Sequence, residues 1–294
     1  MTHTRIRCLL PLLLVGLLTG TALGGLFDDR YPSPRALAMG GAGAATPAGL
    51  WSAYYNPAGL SALQRAELGT AYARLYNLGF LHNYFGGGAY PLSSRWGSLA
   101  ATFQYFGVDY EGENLTGEYT MTLSHGFYLL KDIESSLSLG YSIKAYHLNY
   151  GTSVEGRELG STTTFGVDVG LQASVYSRTT VGIYVLNFNN PSVGEFTKYD
   201  LPQRIVAGVA YQPYDGVTTT FDLNRVAGGD DLEFWGGAEF RLFQYLELRF
   251  GATTNPNRFT AGVGVNVANY RIDYGMRTHS ELGETHSIGF VYGF

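Results

Sequence analysis

Six histidines, among them two with a serine alongside that call for scrutiny, are the residues from which hydrolytic or metal chemistry would have to come. Ser124 is followed by His125, and His286 by Ser287. Neighbours on an extended strand point to opposite faces, so neither pair can share a proton directly. No G-x-S-x-G elbow and no metal-ligand spacing of histidines occurs. The sequence therefore reads as a non-enzyme with no cofactor and no metal. A second set of residues is more informative. Glu233, Glu239, Arg241, Glu247, Arg249, Arg271, Asp273 and Arg277 fall at alternate positions of consecutive segments, all on their polar faces. Opposite signs there could pair across neighbours, giving a salt-bridged interior or a dock for another part of the chain. The other reading makes Arg249, Arg271 and Arg277 ligand contacts that hold an anionic head group such as a carboxylate.

The elements that carry these charges have a period of two. At the C-terminus Ile288, Phe290, Tyr292 and Phe294 share one face, and Ser287, Gly289, Val291 and Gly293 the other. Tyr270, Ile272, Tyr274 and Met276 alternate in the same way with Arg271, Asp273, Gly275 and Arg277. Strict alternation is the mark of a β-strand with two unlike surroundings. Similar runs recur back to residue 66 and give about fourteen strands, within a range of about twelve to sixteen. Their connections alternate between tight turns, as at Lys131 to Ser135 and Tyr176 to Thr179, and longer links, as at Glu111 to Gly117 and Asn189 to Pro202. Long strands, alternate short and long connections, and tyrosines near strand ends predict an all-β, up-and-down antiparallel barrel crossing a membrane. A lipid-surrounded backbone needs every N–H and C=O paired internally, and a closed sheet does this without leaving an edge.

Composition agrees. The 294 residues include 40 glycines, 23 tyrosines and 17 phenylalanines, with a net charge of −5 and no basic cluster, which argues against a nucleic-acid partner. Arg5 and Arg7 precede an apolar run and then Gly20, Thr21, Ala22 and Gly24, so residues 1–24 read as a secretory signal peptide. The single cysteine, Cys8, lies in that run, leaving residues 25–294 without disulfides or thiolate metal sites.

Residues 25–65 lack alternation and precede the barrel, residues 66–294. They hold Arg35, Met39, Gly40, Gly41 and Ala42, then Asn56, Pro57, Ala58, Gly59 and Leu60. An R-x-x-x-M-G-G-A stretch followed by N-P-A-G-L resembles the N-terminal signature of the FadL-like outer-membrane superfamily, including its PorV/PorQ-type barrels. The resemblance implies a fourteen-stranded barrel with an N-terminal hatch inside the lumen. It also implies passive passage of small hydrophobic or amphipathic, fatty-acid-like molecules across the outer membrane. The alternative it leaves open is an accessory barrel that binds exported proteins of a secretion system. By the same resemblance, Gly86, Gly87 and Gly88 mark a candidate lateral opening, where glycine within a strand would give a bulge or leave room for the hatch. Phe290, Tyr292 and Phe294 look like the signal read by the barrel assembly machinery. The partners expected are thus outer-membrane lipid, that machinery and a hydrophobic small-molecule ligand, for a monomeric protein.

Overall fold

In the computed structural model the described residues are 26–27, 31–93, 95–153, 156–194, 198–227 and 232–294. The signal-peptide reading of residues 1–24 lies outside them. The strands are β1 Glu67–Arg74, β2 Leu81–Ser93, β3 Gly97–Tyr110, β4 Glu113–Lys131, β5 Ser135–Asn149, β6 Ser161–Val175 and β7 Thr179–Leu186. Two short strands follow, β8 Ser192–Val193 and β9 Tyr199–Asp200, which pair only with each other inside a loop. The series resumes with β10 Arg204–Tyr214, β11 Val217–Val226, β12 Leu232–Phe243, β13 Leu246–Thr253, β14 Arg258–Val267, β15 Tyr270–Arg277 and β16 Thr285–Gly293. Without β8 and β9 this is a closed barrel of fourteen strands, each antiparallel to its neighbours, as the alternation predicts. Closure is made by β1 on β16, in a register that sets Thr70 opposite Phe290 and Tyr72 opposite Ile288.

The two faces of the wall are inverted relative to a water-soluble protein. On β4 the side chains of Met121 and Leu123 are 61% and 65% exposed, whereas Thr122 and Ser124 are buried. On β5 Tyr141 and Ile143 are exposed while Ser142 and Lys144 are buried. Apolar residues outside and polar residues inside suit a cylinder wetted by lipid. Among the described residues no helix is long and apolar enough to cross a membrane. Aromatic residues pack side by side on the outer wall, Tyr72 on Tyr84 at 5.0 Å and Tyr105 on Tyr119 at 4.9 Å between ring centroids. The C-terminal residues lie on the same outer surface: Phe290 and Phe294 are exposed, and Tyr292 packs on Tyr270 at 5.0 Å.

Two expectations from the sequence differ from the structure. The link expected from Glu111 to Gly117 is a two-residue hairpin instead, with Glu111 and Gly112 both at positive φ (54° and 87°) and β4 beginning at Glu113. Positive φ at both central residues is the turn geometry that matches strand twist, and glycine in the second place makes it accessible. Gly86, Gly87 and Gly88 do not form a bulge. They pair without interruption with Thr70, Gly69 and Leu68 on one side and with Phe103, Thr102 and Ala101 on the other. The wall fills the space beside two of them, since a Cβ on Gly88 would lie 2.8 Å from Leu68 Cδ2 and one on Gly87 2.8 Å from Thr102 Cγ2, while beside Gly86 the nearest atom is 3.9 Å away.

Replacing Leu123 by Arg tests the inverted surface. A cation on a lipid face near mid-membrane costs ~2–4 kcal/mol. Equilibrium urea unfolding in vesicles is expected to show a loss of that order, and an unchanged midpoint would place that face in water.

Candidate functional site: a luminal hatch

Residues 31–66 fold into the lumen. Pro34–Ala38 forms one turn of α-helix, α1, started by Pro34 in its first turn and capped by Ser33, whose Oγ accepts from the Ala36 N–H at 3.3 Å. Two 3-10 turns follow, Gly49–Ala53 and Pro57–Ala62. Asn56 caps the second: its Oδ1 accepts from the Ala58 N–H at 3.1 Å. The same side chain donates to the Ala44 carbonyl at 2.7 Å and to the Leu171 carbonyl of β6 at 3.1 Å. Asn56 is therefore the joint between the two halves of the hatch and the wall. Leu60 is buried against Leu50, Ala53, Ala89 and Ala100.

The inner wall is recessed wherever the hatch backbone touches it. A Cβ on Gly126 would lie 2.3 Å from the Pro57 carbonyl oxygen, on Gly140 2.2 Å from the Ala58 nitrogen, and on Gly182 1.9 Å from the Ala44 carbonyl oxygen. On the opposite side Gly237 faces Met39, Gly251 faces Gly40 and Gly275 faces Pro34, each at 2.4–2.6 Å. Real Cβ contacts of that length do not occur, so glycine is required at these positions by close approach. Gly126 pairs with Gly140, and Gly237 with Gly251, so the recesses line up across strands.

Charge fixes the N-terminal end. Arg35 makes a two-pronged bond to Glu239, Nε to Oε2 and Nη2 to Oε1, both at 2.7 Å. Burial alone would lower the Arg35 pKa, but Glu239 beside it more than offsets that and the net shift is upward. Behind Glu239 lies Arg249, which is fully buried and bonds Glu239 at 2.6 Å, Asp273 at 2.7 Å and Glu247. Arg271 stands 2.9 Å from Asp273. Arg241, more exposed, stands 3.6 Å from Glu247, so four guanidinium groups surround three carboxylates. This corrects the reading of Arg249 as a contact for an anionic ligand, since its side chain is sealed off, whereas Arg271 is paired with Asp273 and keeps 28% of its side chain exposed. Arg277 is not in the cluster. Its guanidinium lies 4.1 Å from the centre of the Tyr31 ring.

Several anchoring residues have no counterpart in the sequence reading. Thr260 Oγ1 accepts from the Gly40 N–H at 3.0 Å and donates to the Ala38 carbonyl at 2.9 Å. Glu67 accepts from the Leu50 N–H at 2.8 Å. Asp222 accepts from the N–H groups of Gly43 and Ala44 at 2.8 and 2.9 Å, both through Oδ2. The available signal was position alone, a polar residue at an inward place on an alternating strand.

The hatch separates two spaces. Toward the loop end is a cavity of about 40 Å³ bordered by Phe27, Tyr54, Phe85, Phe106, Tyr146 and Tyr184, with Lys144 and Arg204 among its polar borders. Lys144 is paired with Asp168 at 2.6 Å. Toward the turn end lie cavities of about 410 Å³, beneath Gly59 and Leu63, and about 300 Å³, beside Thr218, Glu239 and Glu247. A dry cavity of roughly 150 Å³ accommodates benzene. The upper space must therefore widen before it admits even one aromatic ring.

These features define a class: a fourteen-stranded membrane barrel whose lumen is closed by its own N-terminal segment. No protein-family model and no curated protein sequence matches the chain. Solved structures do. The chain is similar to the CymD monoaromatic hydrocarbon channel, with a TM-score of 0.64 and 15% identity over 90% of this chain and 97% of that one. It is similar to the Ralstonia pickettii toluene transporter TbuX, at 0.63 and 13% over 89% and 98%. A Pseudomonas aeruginosa FadL homologue matches at 0.56 and 11% over 89% and 97%. The fold is the one the N-terminal motifs imply.

Arg35→Ala would leave Glu239 short of one partner in a buried network, a change that costs ~3–5 kcal/mol. The expected outcome is a less firmly seated hatch in an intact barrel. Planar-bilayer recordings should show larger or more frequent openings, with the heat-modifiable electrophoretic shift of the folded barrel retained.

Proposed function

We propose that this protein is a passive outer-membrane conduit for small hydrophobic molecules, of the size and character of monoaromatic hydrocarbons. The observation that carries this reading is the aromatic space above the hatch. Six aromatic side chains from six separate stretches of the chain, Phe27, Tyr54, Phe85, Phe106, Tyr146 and Tyr184, converge there inside the lumen. Aromatic faces in a water-poor pocket favour apolar, flat ligands. Tyr54 belongs to the hatch and Phe85 to the wall, and their rings lie 6.3 Å apart. A ligand widening this space would push on the hatch, so entry and opening are coupled. Fold neighbours described as a hydrocarbon channel and a toluene transporter support the reading.

Passage needs no cofactor and no chemical step, only a concentration gradient. In this reading the chain is exported by its N-terminal segment, recognised through Phe290, Tyr292 and Phe294 by the assembly machinery, and inserted as a monomer. The accessory role in protein secretion finds no support in the neighbours.

Uptake of radiolabelled toluene by cells lacking other hydrocarbon channels tests the proposal. Expression should raise the initial rate several-fold, and Tyr54→Ala with Phe85→Ala should lower it toward the background while the barrel still folds. A rate equal to that of cells without the protein would overturn the reading. Deleting residues 31–64 separately tests the hatch: conductance should rise to that of an open pore, and an unchanged conductance would mean that the segment does not close the lumen.

A further inference from the structure

The contacts that hold the hatch are unequal. At the Arg35 end the hatch is held by an ion pair, Arg35 on Glu239, backed by Arg249 and Asp273, although Arg277 beside Tyr31 has no counter-charge among the described residues. At the other end the carboxylate of Asp222, only 1% exposed, has no ion-pair partner among the described residues, and its Oδ1 has no hydrogen-bond partner. The opposite residue on β10 is Gly208, where a Cβ would fall 1.8 Å from that oxygen, so the wall is hollowed to take the carboxylate. Its other cross-strand neighbour is Trp235.

The shortfall extends along β11. Thr218, Thr220, Asp222 and Asn224 are its inward residues and all are buried. Thr220 Oγ1, Asp222 Oδ1 and Asn224 Oδ1 are all without partners, as is Thr46 Oγ1 on the hatch, two residues beyond Ala44. No protein group holds these oxygens, so they line a polar track that water can follow. The track has an open space at each end. Thr218 borders the turn-end cavity of about 300 Å³. At the far end Asn224 bonds Glu233 at 2.7 Å, Glu233 lies 3.8 Å from Arg204, and Arg204 borders the upper cavity.

We propose that the passage opens along the inner face of β11, where the Gly43–Ala44 turn leaves Asp222 while the Arg35 end of the hatch stays fixed. Water can take over the places of the freed carboxylate and of the two amides, none of which is held by an ion pair. Parting Arg35 from Glu239 has no such replacement, because it strands charges inside the cluster. Asp222 is thus a positioning residue that sets how readily the hatch lifts. The inference rests on the reading that hatch movement opens the conduit.

The test is thiol labelling of the full chain folded in vesicles, in a Cys8→Ser background, with a small water-soluble methanethiosulfonate. One reporter is Thr46→Cys, near Asp222; the other is Leu37→Cys, in α1. Asp222→Ala should speed labelling at position 46 by about tenfold or more, the worth of a charge-assisted hydrogen bond, and leave position 37 unchanged. Asp222→Asn, which keeps an acceptor, should fall between Asp222→Ala and the parent, and it carries the test if the alanine variant does not fold. Equal acceleration at both reporters, or none at position 46, would overturn the proposal. Labelling does not depend on the cargo, so selective exposure of position 46 in a protein that takes up no toluene would refute the hydrocarbon reading and leave this one standing.

Discussion

A peptide backbone surrounded by hydrocarbon has no water to complete its hydrogen bonds, and everything else in this protein follows from how that demand is met. Pairing β1 with β16 removes the last free edge. Closure then fixes the sidedness of every residue: odd positions of a strand meet lipid and even ones meet the lumen, or the reverse. A chain with Met121, Leu123, Tyr141 and Ile143 outside must carry Thr122, Ser124, Ser142 and Lys144 inside. The interior is polar because alternation leaves no other place for the polar residues.

A polar lumen of this width is a hole unless it is filled, and the N-terminal segment fills it. Part of the contact is backbone against backbone, as at Gly126 with Pro57 and Gly182 with Ala44, and part is side-chain packing, as at Trp51 on Phe85 and Leu60 on Ala89 and Ala100. Backbone contact over recessed glycines, fastened by a few polar bonds, gives a fit that is close in shape and dependent on a small number of residues. Arg35, Thr260, Asp222, Asn56 and Glu67 are those fastenings. Their energies differ because Arg35 enters a compensated network and Asp222 does not.

The luminal charges illustrate how the same residues support two functions on paper and one in space. Arg249 and Arg271 have the chemistry to hold a carboxylate ligand, but Glu239, Glu247 and Asp273 are within 4 Å of them and already do so. The aromatic space above the hatch is assembled from Phe27, Tyr54, Phe85 and Tyr146, residues far apart in sequence that share no spacing rule.

Strand number, order, sidedness and the polar lumen were legible from the sequence, because a period of two is a local property and closure in lipid leaves one arrangement for it. The position of the hatch was legible through Arg35 to Ala42 and Asn56 to Leu60, whose residue types resemble a known signature. What only the tertiary structure decided is which groups meet: that Gly86, Gly87 and Gly88 pair without a bulge while Gly126 and Gly140 seat the hatch, and that Asp222 and Thr260 hold it. Alternation says that a residue faces inward and is silent about its height and about what lies across the lumen. Those depend on strand stagger and on the path of a segment that has no periodicity to read.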